Sequence, residues 1–256
     1  MIDERAIIHP SAKIAEGVSI GPGTLIGADV EIDEGTWIGP YVVIQGPTKI
    51  GKNNKIFQFA SVGDEPQDIT YKGEPTRLEI GDNNIIREYC MISRGTVKGG
   101  GVTRIGNANY LMAYAHIGHD CMIGNHTIMV NHAALSGHVT INDFATIGPY
   151  AAVHQFCHVG AYAFIARATY VSKDVLPYVM IAGHMTSACG INTVGLKRRG
   201  FSSATIDHLR RAYKIIFRKG LTVQQAVSEL ELMQHDCPEV LPMIDALNQS
   251  TRGIVR

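Results

Sequence analysis

The strongest constraint in this chain is an aliphatic residue that recurs every six positions. A period of six fits neither the 3.6-residue turn of a helix nor the simple alternation of a long strand. The series returns in phase at residues 80, 86 and 92, and after a skip of thirteen it runs from Ile105 to Val171. Its first, unbroken part consists of Ile8, Ile14, Ile20, Ile26, Ile32, Ile38, Ile44, Ile50, Ile56 and Val62.

This period predicts short strands joined by tight corners. Each strand sends one aliphatic side chain inward, and small or polar residues such as Asn53 and Asn125 turn the corner. Three such sides make one coil of eighteen residues, and stacked coils bury the aliphatic residues in continuous columns. The pattern is typical of hexapeptide repeats, so we expect a mainly β fold: a left-handed parallel β-helix over residues 1–190, followed by a small C-terminal α-helical domain over residues 191–256.

Two segments interrupt the rhythm and are predicted to be loops. Between Val62 and Ile80 the aliphatic positions would fall on Asp68 and Glu74, which cannot line a dry core. We therefore expect residues of about 63–79 to leave the coils. The change of phase before Ile105 predicts a second loop at about 93–104.

The C-terminal part has helical periodicity. Ile206, Leu209 and Tyr213 fall on one face of a predicted helix, and Thr222 with Gln225 has the spacing of a capping box at the start of another.

The same region is strongly basic. Only Asp207 opposes its cations. A solvated helix face explains such charge, and so does a docking site for an acidic partner or a phosphate. Nucleic acid is less favoured, because aromatic residues are not interleaved. The basic residues are Lys197, Arg198, Arg199, Arg210, Arg211, Lys214, Arg218 and Lys219.

Composition excludes several classes of protein. The 23 basic and 23 acidic residues balance, so nothing global draws the chain to nucleic acid. The five cysteines are scattered with no CxxC pair, which favours reduced thiols. No apolar run approaches the roughly 18 to 20 residues of a membrane span, and the first residues lack the basic start and apolar block of a signal peptide. We expect a cytoplasmic protein without membrane insertion.

The period also predicts which polar residues lie together. Residues eighteen apart lie on successive coils, roughly 4.8 Å from each other. Asp120 then lies under His138, and His119 lies under Gly137. One edge of the prism should therefore collect His119, Asp120, Gly137, His138 and His154, with His116 one short side away.

Two chemical interpretations of this cluster compete. An acid beside a histidine, as in His119–Asp120, is typical of a general base with its orienting carboxylate. Three histidines on adjacent corners could instead hold zinc, although no clean ligand spacing stands out. His126 and His132 also follow the six-residue rhythm, so some of the histidines fill corners only. We favour the base and expect no metal and no cofactor.

Seven short motifs spread over the whole chain carry a family resemblance. The sequence is similar to the UDP-N-acetylglucosamine acyltransferases of lipid A biosynthesis, in both loops and in the helical tail as well as in the repeats. The motifs are AHIGHDC, LSGHV, AVHQFC, GEPTR, SRGTV, GLKRRGF and STRGIVR.

This resemblance implies an activity and an assembly. The family is cytosolic and homotrimeric, with sites between adjacent subunits. It transfers an (R)-3-hydroxyacyl group from acyl carrier protein to the 3-hydroxyl of UDP-N-acetylglucosamine, which is the first step of lipid A biosynthesis. The acidic carrier protein would be the partner of the basic C-terminal helices.

The resemblance also implies roles for particular residues. His119 is the expected general base, Asp120 orients it, and the backbone N–H of Gly137 stabilises the thioester oxyanion. Arg167 lies where the family sets the acyl chain length. Contacts to the donor or the sugar nucleotide are implied for Asp68, His116, His138, His154 and Gln155, and contacts to the nucleotide and its phosphates for Asn192, Arg198 and Arg199.

Some positions depart from the family pattern. The family often has histidine at Ser93, lysine between Asp68 and Tyr71 where Thr70 stands here, and glutamate at Val194. We expect rearranged nucleotide contacts.

Arg167 should shorten the acyl channel unless its side chain turns to solvent.

Two kinds of alternative remain open. The acceptor could carry a 3-amino group in place of the 3-hydroxyl. The competing classes of protein are a zinc enzyme and a non-catalytic trimeric scaffold.

Overall fold

The computed structural model describes residues 1–183 and 186–256. The described strands are mostly two to four residues long and form three sheets, which are the three sides of a prism. The first sheet contains Ile7–Ile8, Leu25–Ile26, Val43–Ile44, Ser61–Asp64, Met91–Ser93, His116–Ile117, Ala134–Leu135, Ala152–Val153 and Tyr170–Val171. The second contains Lys13–Ile14, Val30–Ile32, Thr48–Ile50, Arg77–Ile80, Val102–Ile105, Met122–Ile123, Thr140–Ile141 and His158–Val159. The third contains Ser19–Ile20, Trp37–Ile38, Lys55–Ile56, Ile85–Ile86, Tyr110–Leu111, Ile128–Met129, Thr146–Ile147, Phe164–Ile165, Val179–Ala182 and Ser187–Ile191.

Neighbouring strands in each sheet are one coil apart and parallel, except for the last pair of the third sheet. In the first sheet Ile117 pairs with Leu135, and Leu135 pairs with Val153, so the register advances by eighteen residues per coil here, and by more where a loop intervenes, as between Val62 and Ile92. The strands Val179–Ala182 and Ser187–Ile191 are antiparallel and end the prism. The predicted parallel β-helix is confirmed.

The prism interior is a column of aliphatic side chains. The six-residue positions from Ile38 to Val62 are fully buried, as are Leu111, Ile117 and Leu135. Ile8 and Ile14 are only half-buried because the first coil has no coil beneath it. Burying one such side chain contributes about 1.5–3 kcal/mol, so the repeated column is the main source of stability.

A polar ladder also runs through the interior. Asn54, Asn84, Asn109 and Thr127 are buried on successive coils. The Oδ1 of each asparagine accepts the backbone N–H of the next residue in the ladder, at 2.8–2.9 Å. The ladder therefore satisfies backbone groups that the tight corners leave unpaired.

The corners differ from the small and polar residues expected there. Asn53 and Asn83 do have positive φ, but most later corners place an aromatic residue or histidine in the left-handed region. His132 stacks between Tyr114 and Tyr150 with ring centroids 4.7 and 4.6 Å away. We attribute this choice to stacking between coils, which offsets the backbone cost of a non-glycine residue at positive φ.

In two successive coils, a loop replaces the corner between the first and second sheets. The first loop is residues 65–76 and the second is residues 94–101. The second segment contains a one-turn 3₁₀ helix, Val97–Gly99. We call the junction of the first and second sheets the histidine edge; above these two loops it consists of residues 118–121, 136–139 and 154–157. Both loops and the predicted catalytic residues therefore lie on one edge.

Helices follow the prism: Thr193–Arg198, Ser203–Arg218, Val223–Gln234 and Leu241–Gln249, with a 3₁₀ turn at Pro238–Val240. The predicted capping box is confirmed, since the Thr222 hydroxyl accepts the Gln225 N–H and the Gln225 side chain accepts the Thr222 N–H. The predicted apolar face is also confirmed, because Ile206, Leu209 and Tyr213 are buried. None of the described helices combines the length and apolarity needed to cross a membrane.

The asparagine ladder predicts a stability difference between two asparagines. In Asn84→Ala the Gly106 carbonyl loses the donor at 2.9 Å and the Asn109 N–H loses its acceptor at 2.9 Å. Each orphaned buried group costs about 1–3 kcal/mol, so the free energy of unfolding should fall by at least about 2 kcal/mol in urea denaturation. Asn131→Ala, at an exposed corner, is the control and should change it by less than about 0.5 kcal/mol. Equal losses in the two variants would contradict the ladder's role.

Candidate active site

The histidine edge brings together an imidazole and a carboxylate as predicted from the spacing. His119 Nδ1 lies 2.8 Å from Asp120 Oδ2. The Asp120 side chain is 1% exposed and that of His119 is 16% exposed. A hydrogen bond from Nδ1–H to the carboxylate leaves the lone pair on Nε2, so His119 is arranged to accept a proton at Nε2.

Asp120 is held by residues that sequence reasoning missed. Its carboxylate accepts the Thr96 N–H at 2.7 Å and the Thr96 hydroxyl at 2.6 Å, and its own N–H donates to the Thr103 hydroxyl at 2.8 Å. Thr96 belongs to the second loop, which replaces the corner directly beneath Asp120. Periodicity places only residues that stay in phase, so it gave no position for Thr96; the SRGTV motif was the one available signal.

Gly137 lies against the His119 ring. A Cβ on Gly137 would lie 2.7 Å from His119 Nε2, which is closer than atoms can approach. The Gly137 N–H donates to no acceptor among the described residues. Glycine at this position therefore leaves room for the imidazole and an unused donor beside it.

His138 and Asp68 complete the group around His119. His138 Nε2 lies 3.5 Å from Asp120 Oδ2, and its ring meets the His119 ring edge-on with centroids 5.1 Å apart. Burial lowers the pKa of His138, and the charge of His119 lowers it further, while Asp120 and Asp68 oppose this. Hydrogen bonds from the Thr70 N–H and hydroxyl hold the pKa of Asp68 below its usual range, and the charges of Lys98 and His119 add to this. Asp68 is therefore within electrostatic reach of both histidines.

His116 lies close to this group but is more enclosed. Its Nδ1 is buried without a hydrogen-bond partner among the described residues. Burial lowers its pKa, and the neighbouring charge of His119 lowers it further. His116 is therefore suited to contact a bound molecule as a neutral ring.

His154 and Gln155 lie on the upper part of the same edge. The His154 Nδ1 is 3.1 Å from the Gln155 carbonyl and 3.4 Å from the Arg252 guanidinium, which comes from the C-terminal tail. The tail reaches this place because Ser250 donates to Asp174 at 2.7 Å and Val255 donates to the Asp174 carbonyl. Arg252 was not among the predicted contacts.

The predicted nucleotide-binding residues lie on a different edge of the same chain. Asn192 caps the helix Thr193–Arg198 and donates to the Tyr162 carbonyl at 3.0 Å. The Arg199 guanidinium lies 4.2 Å from the centre of the Phe144 ring. Arg198 is exposed, and it lines a groove of about 710 Å³ on the third sheet together with Asn192 and Val194. Within one chain the structure does not bring these residues to His119.

Arg167 is exposed in the single chain. It lies three residues after Phe164, which lines the same groove. Its effect on chain length therefore remains a prediction.

His126 and His132 fill corners, as the six-residue rhythm predicted. His126 stacks on Phe144 with centroids 4.9 Å apart, and His132 stacks between two tyrosines on the edge between the third and first sheets. Both have positive φ and fill corners. They are therefore separate from the group around His119.

The comparisons with known proteins bear on this site. Residues 29–64 and 103–137 match the bacterial transferase hexapeptide repeat, and residues 174–255 match the family described as UDP N-acetylglucosamine O-acyltransferase, domain 2. The acyl-[acyl-carrier-protein]–UDP-N-acetylglucosamine O-acyltransferase of Stutzerimonas stutzeri is 52% identical over 256 residues, covering 100% of this chain and 99% of the relative. The protein of the same name from Pseudomonas entomophila is 53% identical over 255 residues, with 100% and 99% covered.

The chain belongs to the UDP-N-acetylglucosamine O-acyltransferase family. The structure of LpxA from Acinetobacter baumannii agrees, with a TM-score of 0.97, 49% identity and coverage of 100% of this chain and 99% of that one. The family resemblance identified from the motifs is confirmed, as is the left-handed β-helix.

In this member of the O-acyltransferase family, a metal is the competing use of the same side chains. One ligand atom each from His119, Asp120 and His138 lies within 4.8 Å of the others. The Asp120 oxygens, however, already accept two hydrogen bonds from Thr96. That arrangement suits a carboxylate that orients an imidazole, and the expectation of no metal stays a prediction.

The partly buried His116 predicts a loss of stability in mild acid. Because burial lowers the pKa of His116, the unfolded chain takes up a proton at a higher pH than the folded chain does. The free energy of unfolding should therefore fall as the pH drops below about 6.5, towards the folded pKa. His116→Gln removes this contribution, so its stability should fall less between pH 7.5 and 5 in urea titrations. His235→Gln, at an exposed position, is the control and should follow the natural protein; a steeper fall in His116→Gln would contradict the prediction.

Proposed function

We propose that this protein transfers an (R)-3-hydroxyacyl group from acyl carrier protein to the 3-hydroxyl of UDP-N-acetylglucosamine, the first step of lipid A biosynthesis. The observation that carries the proposal is the pairing of His119, fixed by Asp120, with the unused N–H of Gly137 on the next coil. The full-length relatives bear the name of this activity, which supports the substrates.

The geometry suggests the following steps. His119 Nε2 accepts the proton of the sugar hydroxyl as its oxygen forms a bond to the thioester carbonyl carbon. The carbonyl oxygen becomes an oxyanion, for which the Gly137 N–H is the donor. When the C–S bond breaks, the carrier thiol leaves with the proton from the His119 imidazolium, and the ester remains on the sugar.

His138, His116 and Asp68 surround the reacting groups. We assign His138 and His116 to contacts as neutral rings, since burial lowers the pKa of both. Asp68, an ionised acceptor beside His119, suits a hydrogen bond from a sugar hydroxyl. His154 and Gln155, higher on the same edge, are assigned to the incoming donor.

The complete site needs more than one copy of the chain. Asn192, Arg198 and Arg199 lie on the edge between the second and third sheets, away from His119. A head-to-tail contact around a three-fold axis would place that edge of one copy beside the histidine edge of its neighbour. We therefore infer a homotrimer, working in the cytoplasm, in which these residues hold the nucleotide and its phosphates.

The basic helices suit an acidic carrier protein. A groove of about 380 Å³ between Ser203–Arg218 and Val223–Gln234 is lined by Arg211, Lys214 and Lys219. Lys219 is paired with Glu229, but Arg211 and Lys214 form no ion pair among the described residues. We infer that acyl carrier protein docks here.

The general base is tested by His119→Ala. Loss of proton transfer should lower the rate of acyl transfer from 3-hydroxyacyl carrier protein to UDP-N-acetylglucosamine by about 10²- to 10⁴-fold. His132→Asn is the control, because it changes a histidine on a different edge, between the third and first sheets. Asparagine tolerates the positive φ of this position, so the rate should stay within about threefold. Bound zinc is measured in parallel with the oligomeric state. Nearly full activity in a trimeric His119→Ala would overturn the mechanism, and stoichiometric zinc with loss of activity to chelators would favour the metal enzyme.

Arg167 is tested by the choice of donor. If its side chain shortens the channel in the assembled protein, Arg167→Gly should shift the preferred acyl chain to a longer one, measured as relative kcat/KM over a series of 3-hydroxyacyl carrier proteins. Activity with the shortest donor serves as the internal control for folding. An unchanged optimum would remove this role and leave Arg167 in solvent.

A further inference from the structure

A lysine of the second loop forms a hydrogen bond with the first loop. Lys98 belongs to the one-turn helix Val97–Gly99, and its Nζ donates to the Thr70 hydroxyl at 2.7 Å. The same hydroxyl donates to the Asp68 carboxylate at 2.9 Å. Lys98 therefore places an ammonium group beside Asp68, whose charge is within electrostatic reach of His119 and His138.

The short helix that carries Lys98 is tied to the catalytic group. Thr96 caps it by accepting the Gly99 N–H at 3.3 Å, while its own N–H and hydroxyl donate to Asp120. Thr96 and Asp120 are both buried. A continuous series of hydrogen bonds, through Thr96 and Asp120, thus connects the helix to the His119 ring.

Lys98 has Asp68 within electrostatic reach but forms no direct ion pair with it. Some exposed lysines form ion pairs, such as Lys13 with Glu31 at 2.6 Å and Lys52 with Glu34 at 3.1 Å, whereas others, such as Lys214, form none among the described residues. Within residues 1–183 and 186–256, no salt bridge is formed by Lys98, whose hydrogen-bond acceptor is a neutral hydroxyl. An ammonium carries three donors, so it has donors left for a ligand.

We propose that Lys98 contacts the diphosphate of the acceptor sugar nucleotide. This inference rests on the proposed function: with the 3-hydroxyl at His119, the diphosphate at C1 lies one sugar ring away. A lysine ammonium is a compact cation that suits phosphate oxygens. Thr70 and Thr96 position it, and Lys98 supplies the charge.

Lys98→Gln tests the proposal in the full-length protein. Loss of a charge-assisted hydrogen bond should raise the KM for UDP-N-acetylglucosamine about tenfold or more and leave kcat within about threefold. Calorimetry with UDP and with uridine as probes separates the phosphates from the base: affinity for UDP should fall, and affinity for uridine should not. Lys72→Gln, the same change in the first loop, is the control and should leave both affinities within about twofold.

A second variant distinguishes a binding charge from a tie between loops. In Lys98→Gln/Thr70→Lys the ammonium returns to the same rim from the first loop, so UDP affinity should recover most of its loss. An unchanged UDP affinity in Lys98→Gln, an equal loss of uridine affinity, or no recovery in the double variant would overturn the proposal. If the natural protein transferred no acyl group to UDP-N-acetylglucosamine, the proposed function would fail, while the UDP and uridine titrations would still decide the role of Lys98.

Discussion

The structure depends on the stacking of coils in constant register. Between coils that no loop interrupts, backbone hydrogen bonds between parallel strands and the buried aliphatic columns hold residues such as Leu135 over the one eighteen positions earlier. Each coil is short, so one coil alone could not bury its inward face, and the stack is stable only as a whole. This constraint turns distance along the chain into adjacency in space, and it places Gly137 directly over His119.

The polar groups exploit the same register in two ways. Inside the prism, the asparagine ladder satisfies backbone donors from coil to coil, which is a structural use. On the histidine edge, the carboxylate of Asp120 accepts its two shortest hydrogen bonds from Thr96, which belongs to an excursion of the chain and not to the next coil. The carboxylate that orients His119 therefore takes its position from a loop and not from the repeat.

The two excursions also explain why this edge differs from the others. On the other two edges many corners carry stacked rings, as in the Tyr114–His132–Tyr150 column. At the histidine edge the loops replace two consecutive corners, so the third corner, with His119, borders on loop residues. The repeat builds the scaffold, and the interruptions give one edge its own chemistry. Asn192 and Arg199 lie on another edge of the same chain, between the second and third sheets.

The sequence by itself determined the parallel β-helix, the places where the coils are interrupted, the helical tail and the stacking of His119 under Gly137. It could do so because a six-residue period is a local, repeated signal, and its register is fixed by the exclusion of polar groups from the core. Only the tertiary structure decided that Thr96 and Thr103 hold Asp120, that Lys98 reaches Thr70, and that Arg252 approaches His154. These contacts join segments that have left the repeat, so their partners are set by the path of each loop and of the tail, for which no periodic rule exists.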